Sequence, residues 1–344
     1  MVTIDNITTE KLPNKKKVDQ LSSFLSASGD IFNRSEKNLN DLINNYKGEY
    51  ENFAAFIGAG LSKPLGISDW KKLIKKMIAK CSESFIEKYN DFENSNPHNY
   101  PDIADEIFEE YRAMGNDELF FGTIKEHMEQ EISSTSITLV KVILAIKCHL
   151  TTNFDTSIEE AYKFIEYFAT LTNNSKDMNL VKRYLDDLNI EPKSEVDQLY
   201  YLHADINKNL FILRTKDYEN FYDKTGSKQI LDLLKRIYLN KHIIFIGFSF
   251  EDRFVKKCIT DIAFEIKNDF EKTRTFYREH GKENKSYQRK HFLLIGKNDT
   301  TDIDFFNSFE KIGIYPVIYD KGKHIFIEKL FHYLSFIKQG ITNE

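Results

Sequence analysis

The 344-residue chain is poor in cysteine, and this scarcity excludes two kinds of structural site. Its three cysteines, Cys81, Cys148 and Cys258, lie far apart and form no CxxC pair. A disulfide framework or a four-cysteine zinc site needs more cysteines at closer spacing. The pattern suits a reducing compartment, so we expect a cytoplasmic protein without a bound metal.

Long apolar runs and a strong excess of one charge are also lacking. The longest apolar stretch, ITLVKVILAIKCHL, is interrupted by Lys141 and Lys147 and is too short to span a bilayer. The stretch MVTIDNITTEKLPNKKK has no apolar segment of the kind found in secretory signals. A formal net charge of −5 gives no general attraction to nucleic acid or to an anionic membrane. We therefore expect neither of these as a partner.

Strand and helix patterns alternate along most of the chain. FAAFI and KHIIFI read as buried parallel strands, whereas KQILDLLKRIYLN has helical spacing. This alternation predicts an α/β fold with a Rossmann-like, doubly wound parallel sheet. We expect residues 1–48 to form a polar N-terminal arm or helical leader, and residues 49–340 to form the main domain. Residues of about 82–132 have helical spacing without a strand, which indicates a helical insertion or small domain.

Two stretches between the clearer elements are harder to interpret. NSKDMNLVKRYLDDLNIEPKSEVD is polar and gives no firm prediction. NLFILRTKDYENFY predicts a short strand followed by a turn.

A turn with two glycines follows the first predicted strand. In GAGLS, Gly58 and Gly60 resemble the start of a dinucleotide fingerprint, but Lys63 stands where the third glycine would be. No acidic residue follows a clear second strand to hold an adenine ribose, so an ordinary dehydrogenase is disfavoured. Taken alone, the turn is explained equally well by phosphate binding and by a tight strand-to-helix connection.

Polar or glycine-rich clusters end four of the predicted strands. Because the carboxyl ends of parallel strands lie on one edge of a sheet, we expect these clusters to form one ligand site. The clusters are GAGLS at 58–62, TTNFD at 151–155, HAD at 203–205 and GFSFED at 247–252.

Two residues in these clusters are the candidates for chemistry. The amide of Asn153 offers both a donor and an acceptor to a water or a ribose hydroxyl. His203 closes an apolar strand, and an imidazole with a pKa near ~6.5 can accept a proton at neutral pH. Asp155 and Ser249 are also explained as helix caps, so their patterns leave both interpretations open.

Together the four clusters resemble the sirtuin family over roughly residues 50–255. GAGLS followed by Gly66 and Trp70 resembles the first NAD-binding turn of the family. TTNFD, LHAD and GFSFED resemble its TQNxD, histidine and G-[YF]-S-x-x-D segments. The chain has no cysteines for the zinc ribbon of sirtuin deacetylases, and Ala204 replaces a glycine usual in the family. The pattern resembles the sirtuin-like effectors of bacterial antiphage defence, which consume NAD, more closely than it resembles the deacetylases.

The resemblance implies an NAD+ hydrolase that releases nicotinamide and ADP-ribose without a metal. Asn153 would bind the water and the ribose, and His203 would be the general base. It also implies control by homo-oligomerisation, by a HerA-type ATPase or by a phage-sensing subunit. The residues expected to bind NAD are Gly58, Ala59, Gly60, Ser62, Asp69, Thr152, Asp155, Gly247 and Ser249.

Two alternatives remain at this point. An NAD-dependent protein deacylase would use the same site but would need an acyl-lysine channel. A non-catalytic sensor of NAD or ADP-ribose would keep the glycine turn and would need neither Asn153 nor His203.

Overall fold

A computed structural model describes most of the chain. The described residues are 14–25, 29–62, 65, 70–90, 92, 100–128, 136–171, 180–184, 196–205, 208, 210–222, 229–248, 250, 252–279, 289–297, 302–320, 322 and 325–340. Two predicted site residues, Asp69 and Ser249, lie outside these ranges.

Helices and strands alternate along the described residues, as the sequence pattern predicts. The helices are α1 (Asn14–Ser22), α2 (Gly29–Glu49), α3 (Trp70–Ile78), α4 (Glu83–Lys88), α5 (Tyr100–Ala113), α6 (Glu118–Met128), α7 (Ile137–Ala145), α8 (Ser157–Leu171), α9 (Thr215–Tyr222), α10 (Gln229–Asn240), α11 (Arg253–Glu279), α12 (Ile303–Glu310) and α13 (Ile325–Lys338). The strands are β1 (Phe53–Ile57), β2 (Cys148–Thr151), β3 (Leu180–Arg183), β4 (Asp197–Tyr201), β5 (Ala204–Asp205), β6 (Leu210–Phe211), β7 (His242–Ile246), β8 (His291–Gly296) and β9 (Ile314–Tyr319).

Seven strands form one parallel sheet in the order β3-β4-β2-β1-β7-β8-β9. From β1 the chain runs outward through β2 towards β4 and β3, and it then returns to β7 on the other side of β1. The direction of winding therefore reverses at β1, which is the switch point where such sheets bind ligands. This topology confirms the prediction of a Rossmann-like doubly wound fold.

The sheet is covered by helices on both faces, and β1 shows why its sequence is apolar throughout. Phe53, Ala55 and Ile57 pack with the layer that contains α1, α2, α7, α8 and α13. Ala54 and Phe56 pack with the layer of α9, α10, α11 and α12. A strand buried on both faces has no polar side to expose, so its residues read as a continuous apolar run.

The helix α2 lies in the segment that the sequence suggests as a leader. Its buried residues Leu39, Leu42, Ile43 and Tyr46 repeat at helical spacing and belong to the core of the sheet. The Tyr46 hydroxyl also donates a hydrogen bond of 2.6 Å to the carbonyl oxygen of Ala145. These contacts attach α2 firmly to the sheet.

A separate helical module, formed by α3, α4, α5 and α6, has a core of its own. The described part of residues 82–132 consists of α4, α5, α6 and the turns beside them. Two residues from the sheet side also belong to this core. Phe154 follows β2, and Phe211 lies in β6, which pairs with β5. The module is therefore anchored at the carboxyl edge of the sheet.

Three strand histidines are buried at exposed fractions of 1% or less: His149, His242 and His291. Burial disfavours the charged imidazolium, so it lowers the pKa of His149 to about 3, lowers that of His242, and holds that of His291 well below its usual range. The backbone N–H of Ile243 donates to Nδ1 of His291 at 3.2 Å, which requires that nitrogen to be unprotonated. The folded state thus holds these rings neutral.

We predict that this burial makes the fold sensitive to acid. The histidines have a pKa near ~6.5 in the unfolded chain, so their contribution to stability is complete above that pH and is lost as the pH falls towards their lowered folded values. The free energy of unfolding should drop between pH 6.5 and 5 by up to about 1.4 kcal/mol per pH unit for each fully shifted histidine. Urea denaturation across this pH range measures the drop.

Two substitutions separate the buried histidines from other titrating groups. His149→Gln keeps a hydrogen-bonding side chain beside Tyr162 but does not titrate, so it should reduce the pH dependence by about one proton. His332→Gln, at a half-buried position on α13, is the matched control for replacing a histidine by glutamine outside the sheet. A stability that stays constant from pH 7 to pH 5 would contradict this interpretation.

Candidate active site

The register of the sheet brings the described residues of the four predicted clusters together at its carboxyl edge. Ile57 pairs with Ile246 on one side and with Thr151 on the other. Thr151 in turn pairs with Tyr201 at the end of β4. The residues after these strand ends therefore lie on one rim, in the order of β4, β2, β1 and β7.

The glycines of the first turn are required by backbone packing against the turn after β7. Gly58 and Gly60 donate their N–H groups to the carbonyl oxygens of Ile246 and Gly247, each at 2.9 Å. A Cβ on Gly58 would overlap the Gly247 carbonyl, and one on Gly60 would lie 2.8 Å from the Gly247 oxygen. Gly247 has φ +63°, and a Cβ there would lie 2.7 Å from the nitrogen of Leu61. Glycine is thus needed on both sides of this contact.

These bonds limit what the first turn can offer to a phosphate. Besides the two glycine N–H groups, that of Leu61 donates to Gly58 and that of Ser62 donates to Ala59. Among these backbone hydrogen bonds of the turn, none is donated by the N–H of Ala59. Of the residues in this turn that are expected to bind NAD, Ala59 is therefore the best-placed donor to a phosphate.

Asn153 lies on the rim directly after β2 and is 8% exposed. The hydroxyl of Thr151 donates to the carbonyl oxygen of Ile57 at 2.9 Å and accepts from the backbone N–H of Asn153 at 3.0 Å. The Asn153 amide nitrogen donates to the hydroxyl of Ser62 at 3.2 Å. This bond fixes the plane of the side-chain amide. The side-chain oxygen Oδ1 of Asn153 is then the acceptor for a ligand.

Ser62 and Asp155 support the position of Asn153. The Ser62 hydroxyl is buried, and it also lies 3.1 Å from that of Ser157. Asp155 accepts a hydrogen bond of 3.0 Å from the backbone N–H of Ser157 at the start of α8. Asp155 thus forms an Asx turn that leads into this helix. Thr152, the residue before Asn153, is half-buried.

His203 follows β4 and has an exposed fraction of 0%. Its strand is hydrogen-bonded to the one that carries Asn153, through the Leu202 N–H and the Thr151 carbonyl at 2.9 Å. Burial lowers the His203 pKa to about 4, although the nearby carboxylate of Asp252 opposes this shift. The expectation of an ordinary imidazole pKa was therefore wrong, because the sequence does not show how deeply the ring is buried.

Sequence reasoning missed two residues around His203. The stretch predicted to form a turn instead forms α9, which brings Tyr218 and Tyr222 against the imidazole ring. The Tyr218 hydroxyl donates to Asp252 at 2.6 Å, and Asp252 caps α11 through the N–H groups of Phe254 and Val255. The spacing of the two tyrosines, four residues apart in DYENFY, is the signal that could have revealed this helix face.

The helical module fixes the start of α9. Asp105 accepts a hydrogen bond of 3.0 Å from the backbone N–H of Thr215, and Asp102 accepts one from the Thr215 hydroxyl. Arg253 at the start of α11 also pairs with Asp102 at 3.1 Å. The two tyrosines beside His203 are therefore held by contacts that cross from the module to the sheet.

A surface depression on the helical module is lined by Phe85, Lys88, Asp105, Glu106, Glu109 and Glu110. Its carboxylates would repel a pyrophosphate. Among the described residues, no group of three or more His, Cys, Asp or Glu side chains is arranged to hold a metal, and no helix is long and apolar enough to cross a membrane.

The parallel sheet with its glycine turn at the switch point defines a Rossmann-like nucleotide-binding fold. Within that class, residues 147–314 match the SIR2-like domain family. This match confirms that the chain resembles the sirtuins over that region. The match includes Asn153, His203 and Gly247, whereas the turn at 58–62 precedes it.

Three curated relatives carry the name NAD(+) hydrolase ThsA. The relative from Cytobacillus dafuensis is 26% identical over 230 residues, which are 66% of this chain and 41% of that protein. The relative from Bacillus cereus (strain MSX-D12) is 23% identical over 261 residues, 76% of this chain and 46% of that protein. The relative from Enterococcus faecium is 24% identical over 232 residues, 64% of this chain and 42% of that protein. The matched region spans less than half the length of each relative.

We predict that Gly58→Ala destabilises the protein, because its added methyl would overlap the Gly247 carbonyl. Overpacking of this kind costs about 1–3 kcal/mol, and thermal or urea unfolding measures the loss. Gly122→Ala on α6 is the control, since its Cβ would meet nothing within 4 Å. That variant should gain about 0.5–1 kcal/mol from helix propensity. A Gly58→Ala protein as stable as the wild type would contradict the proposed turn contact.

Proposed function

We propose that this chain is an NAD+ hydrolase that cleaves NAD+ to nicotinamide and ADP-ribose. The observation that carries the proposal is the placement of Asn153 and His203 on hydrogen-bonded neighbouring strands. Each lies two residues beyond the paired positions Thr151 and Tyr201. Both therefore lie on the rim beside the switch point, where a doubly wound sheet binds its ligand.

Hydrolysis of NAD+ requires little proton transfer to or from the protein. The bond between nicotinamide and C1′ of the ribose breaks, and its electron pair leaves with the nicotinamide. The ribose becomes oxocarbenium-like, a water oxygen bonds to C1′, and that water loses a proton. Because the ribose centre is already strongly electrophilic, orientation of the water contributes more than its prior deprotonation. A neutral histidine of low pKa is compatible with this chemistry.

Each rim element has a place in this proposal. The Asn153 carbonyl oxygen, left free by the bond to Ser62, orients the water or a ribose hydroxyl. The Ala59 N–H lies at the first turn, where the pyrophosphate is expected, and His203 borders the nicotinamide ribose. Gly58, Gly60 and Gly247 act indirectly, because they let the two turns pack closely enough to form the rim.

The names of the relatives support this proposal for a domain that they share in part. Since the matched region spans less than half of each relative, the hydrolase activity of those proteins is transferred here as a hypothesis. The sirtuin-like resemblance further suggests a cytoplasmic antiphage effector. Its activity would be controlled by homo-oligomerisation, by a HerA-type ATPase or by a phage-sensing subunit.

We predict that the purified chain consumes NAD+, and that Asn153→Ala and His203→Ala each reduce the rate by at least about 100-fold, in line with the loss of a positioned catalytic group. Chromatography should identify nicotinamide and ADP-ribose as the products. His332→Ala on α13, in the helix layer on one face of the sheet, is the matched histidine control and should retain the wild-type rate.

Other outcomes of this assay point to other functions. Binding of NAD+ without turnover by the wild-type chain, alone and at high protein concentration, would favour the sensor. Release of acetyl groups from an acetyl-lysine peptide at the expense of NAD+ would favour the deacylase. Unchanged NAD+ consumption in both rim variants would show that the site lies elsewhere.

A further inference from the structure

The imidazole of His203 is enclosed by aromatic rings. The rings of Tyr218 and Tyr222 meet it edge-on, with centroid distances of 5.3 and 5.7 Å, and the ring of Phe154 lies at 6.5 Å. Its Nε2 lies 2.6 Å from the Tyr222 hydroxyl. Its Nδ1 is buried and has no hydrogen-bond partner among the described residues. The two ring nitrogens are therefore in very different surroundings.

The direction of the bond to Tyr222 follows from the partners of the phenol. Among the described residues, the Tyr222 hydroxyl has Nε2 of His203 as its hydrogen-bond partner, at 2.6 Å. A buried phenol that keeps its proton donates it to this nitrogen, so Nε2 is the acceptor. A neutral imidazole that accepts at one nitrogen carries its hydrogen on the other.

The protonation of both groups agrees with this direction. Burial lowers the pKa of His203 to about 4, so the ring is neutral near pH 7 and keeps one acceptor nitrogen. Burial and the charge of Asp252 raise the pKa of Tyr222 well above its usual value, so the phenol keeps its proton.

We propose that Tyr222 is a positioning residue that holds His203 as its Nδ1–H tautomer, so that the ring offers its ligand a hydrogen-bond donor. A buried N–H without a partner is costly, and an oxygen of the ligand would satisfy it. The identity of this oxygen rests on the proposed function: it would be a ribose hydroxyl or the attacking water. The lone pair of His203 faces Tyr222, so the proton of the water passes to solvent and not to His203.

The helical module also determines the position of Tyr222, because it holds the start of α9. Tyr218, one turn earlier on α9, is bound to Asp252, and Thr215 at the start of α9 is bound to Asp102 and Asp105. A movement of α5 would therefore carry α9 with it and change the contact between Tyr222 and His203.

Nitrogen NMR of the full chain with ¹⁵N-labelled histidine tests the tautomer directly, with His203→Gln used to assign the signal. We expect the wild-type ring to be protonated at Nδ1 and unprotonated at Nε2. Tyr222→Phe removes the donor and should shift the ring towards the Nε2–H form. Tyr333→Phe is the control, because it removes a buried hydroxyl from α13, in the helix layer on the other face of the sheet, and it should leave the tautomer unchanged.

The wild-type spectrum alone can overturn the proposal. An Nε2–H tautomer in the wild type, or an unchanged tautomer in a folded Tyr222→Phe variant, would do so, whether or not the chain hydrolyses NAD+. Titration with ADP-ribose, a product that carries the ribose hydroxyls, then tests the ligand. The Nδ1 signal should shift on binding in the wild type. A Nδ1–H tautomer without this shift would support the role of Tyr222 and overturn the role given to the ligand oxygen.

Discussion

The close backbone contact between two turns at the switch point is the constraint on which the rest of the site depends. Gly58 and Gly60 donate to the strand and turn that carry Gly247, and any side chain at these positions would force the turns apart. The contact places the end of β7 against the start of the first turn. The neighbouring strand then brings Asn153 beside Ser62, and the rim takes its shape from this arrangement.

The resulting site has buried polar groups that hold one another in place through hydrogen bonds. Asn153 is oriented by Ser62, Ser62 by Ser157, and the start of α8 by Asp155. On the other side, His203 is enclosed by tyrosines whose helix is held by the module. Desolvation strengthens such hydrogen bonds and keeps the imidazole neutral, so the rim is arranged to orient a ligand more than to exchange protons with it.

The sequence predicted the order of strands and helices and the meeting of four clusters, because buried strands and amphipathic helices leave clear periodicities. It did not predict β3, whose short edge strand lies in a polar stretch, or α9, whose tyrosines contact His203. It also could not show that the glycines serve backbone packing, or that the His203 pKa is low, since both depend on residues distant in the chain. Ser62 was expected to bind NAD, and its contact with Asn153 also depends on a residue distant in the chain.

A crystal structure of the Asn153→Ala variant with NAD+ bound tests the central claim most directly, because slow turnover should preserve the substrate. The account predicts that the pyrophosphate lies at the Ala59 N–H and that the nicotinamide ribose lies between position 153 and His203. A ribose hydroxyl should be within hydrogen-bonding distance of the His203 ring. NAD+ bound away from the carboxyl edge of β1, β2, β4 and β7, or bound with its nicotinamide ribose far from His203, would contradict the account.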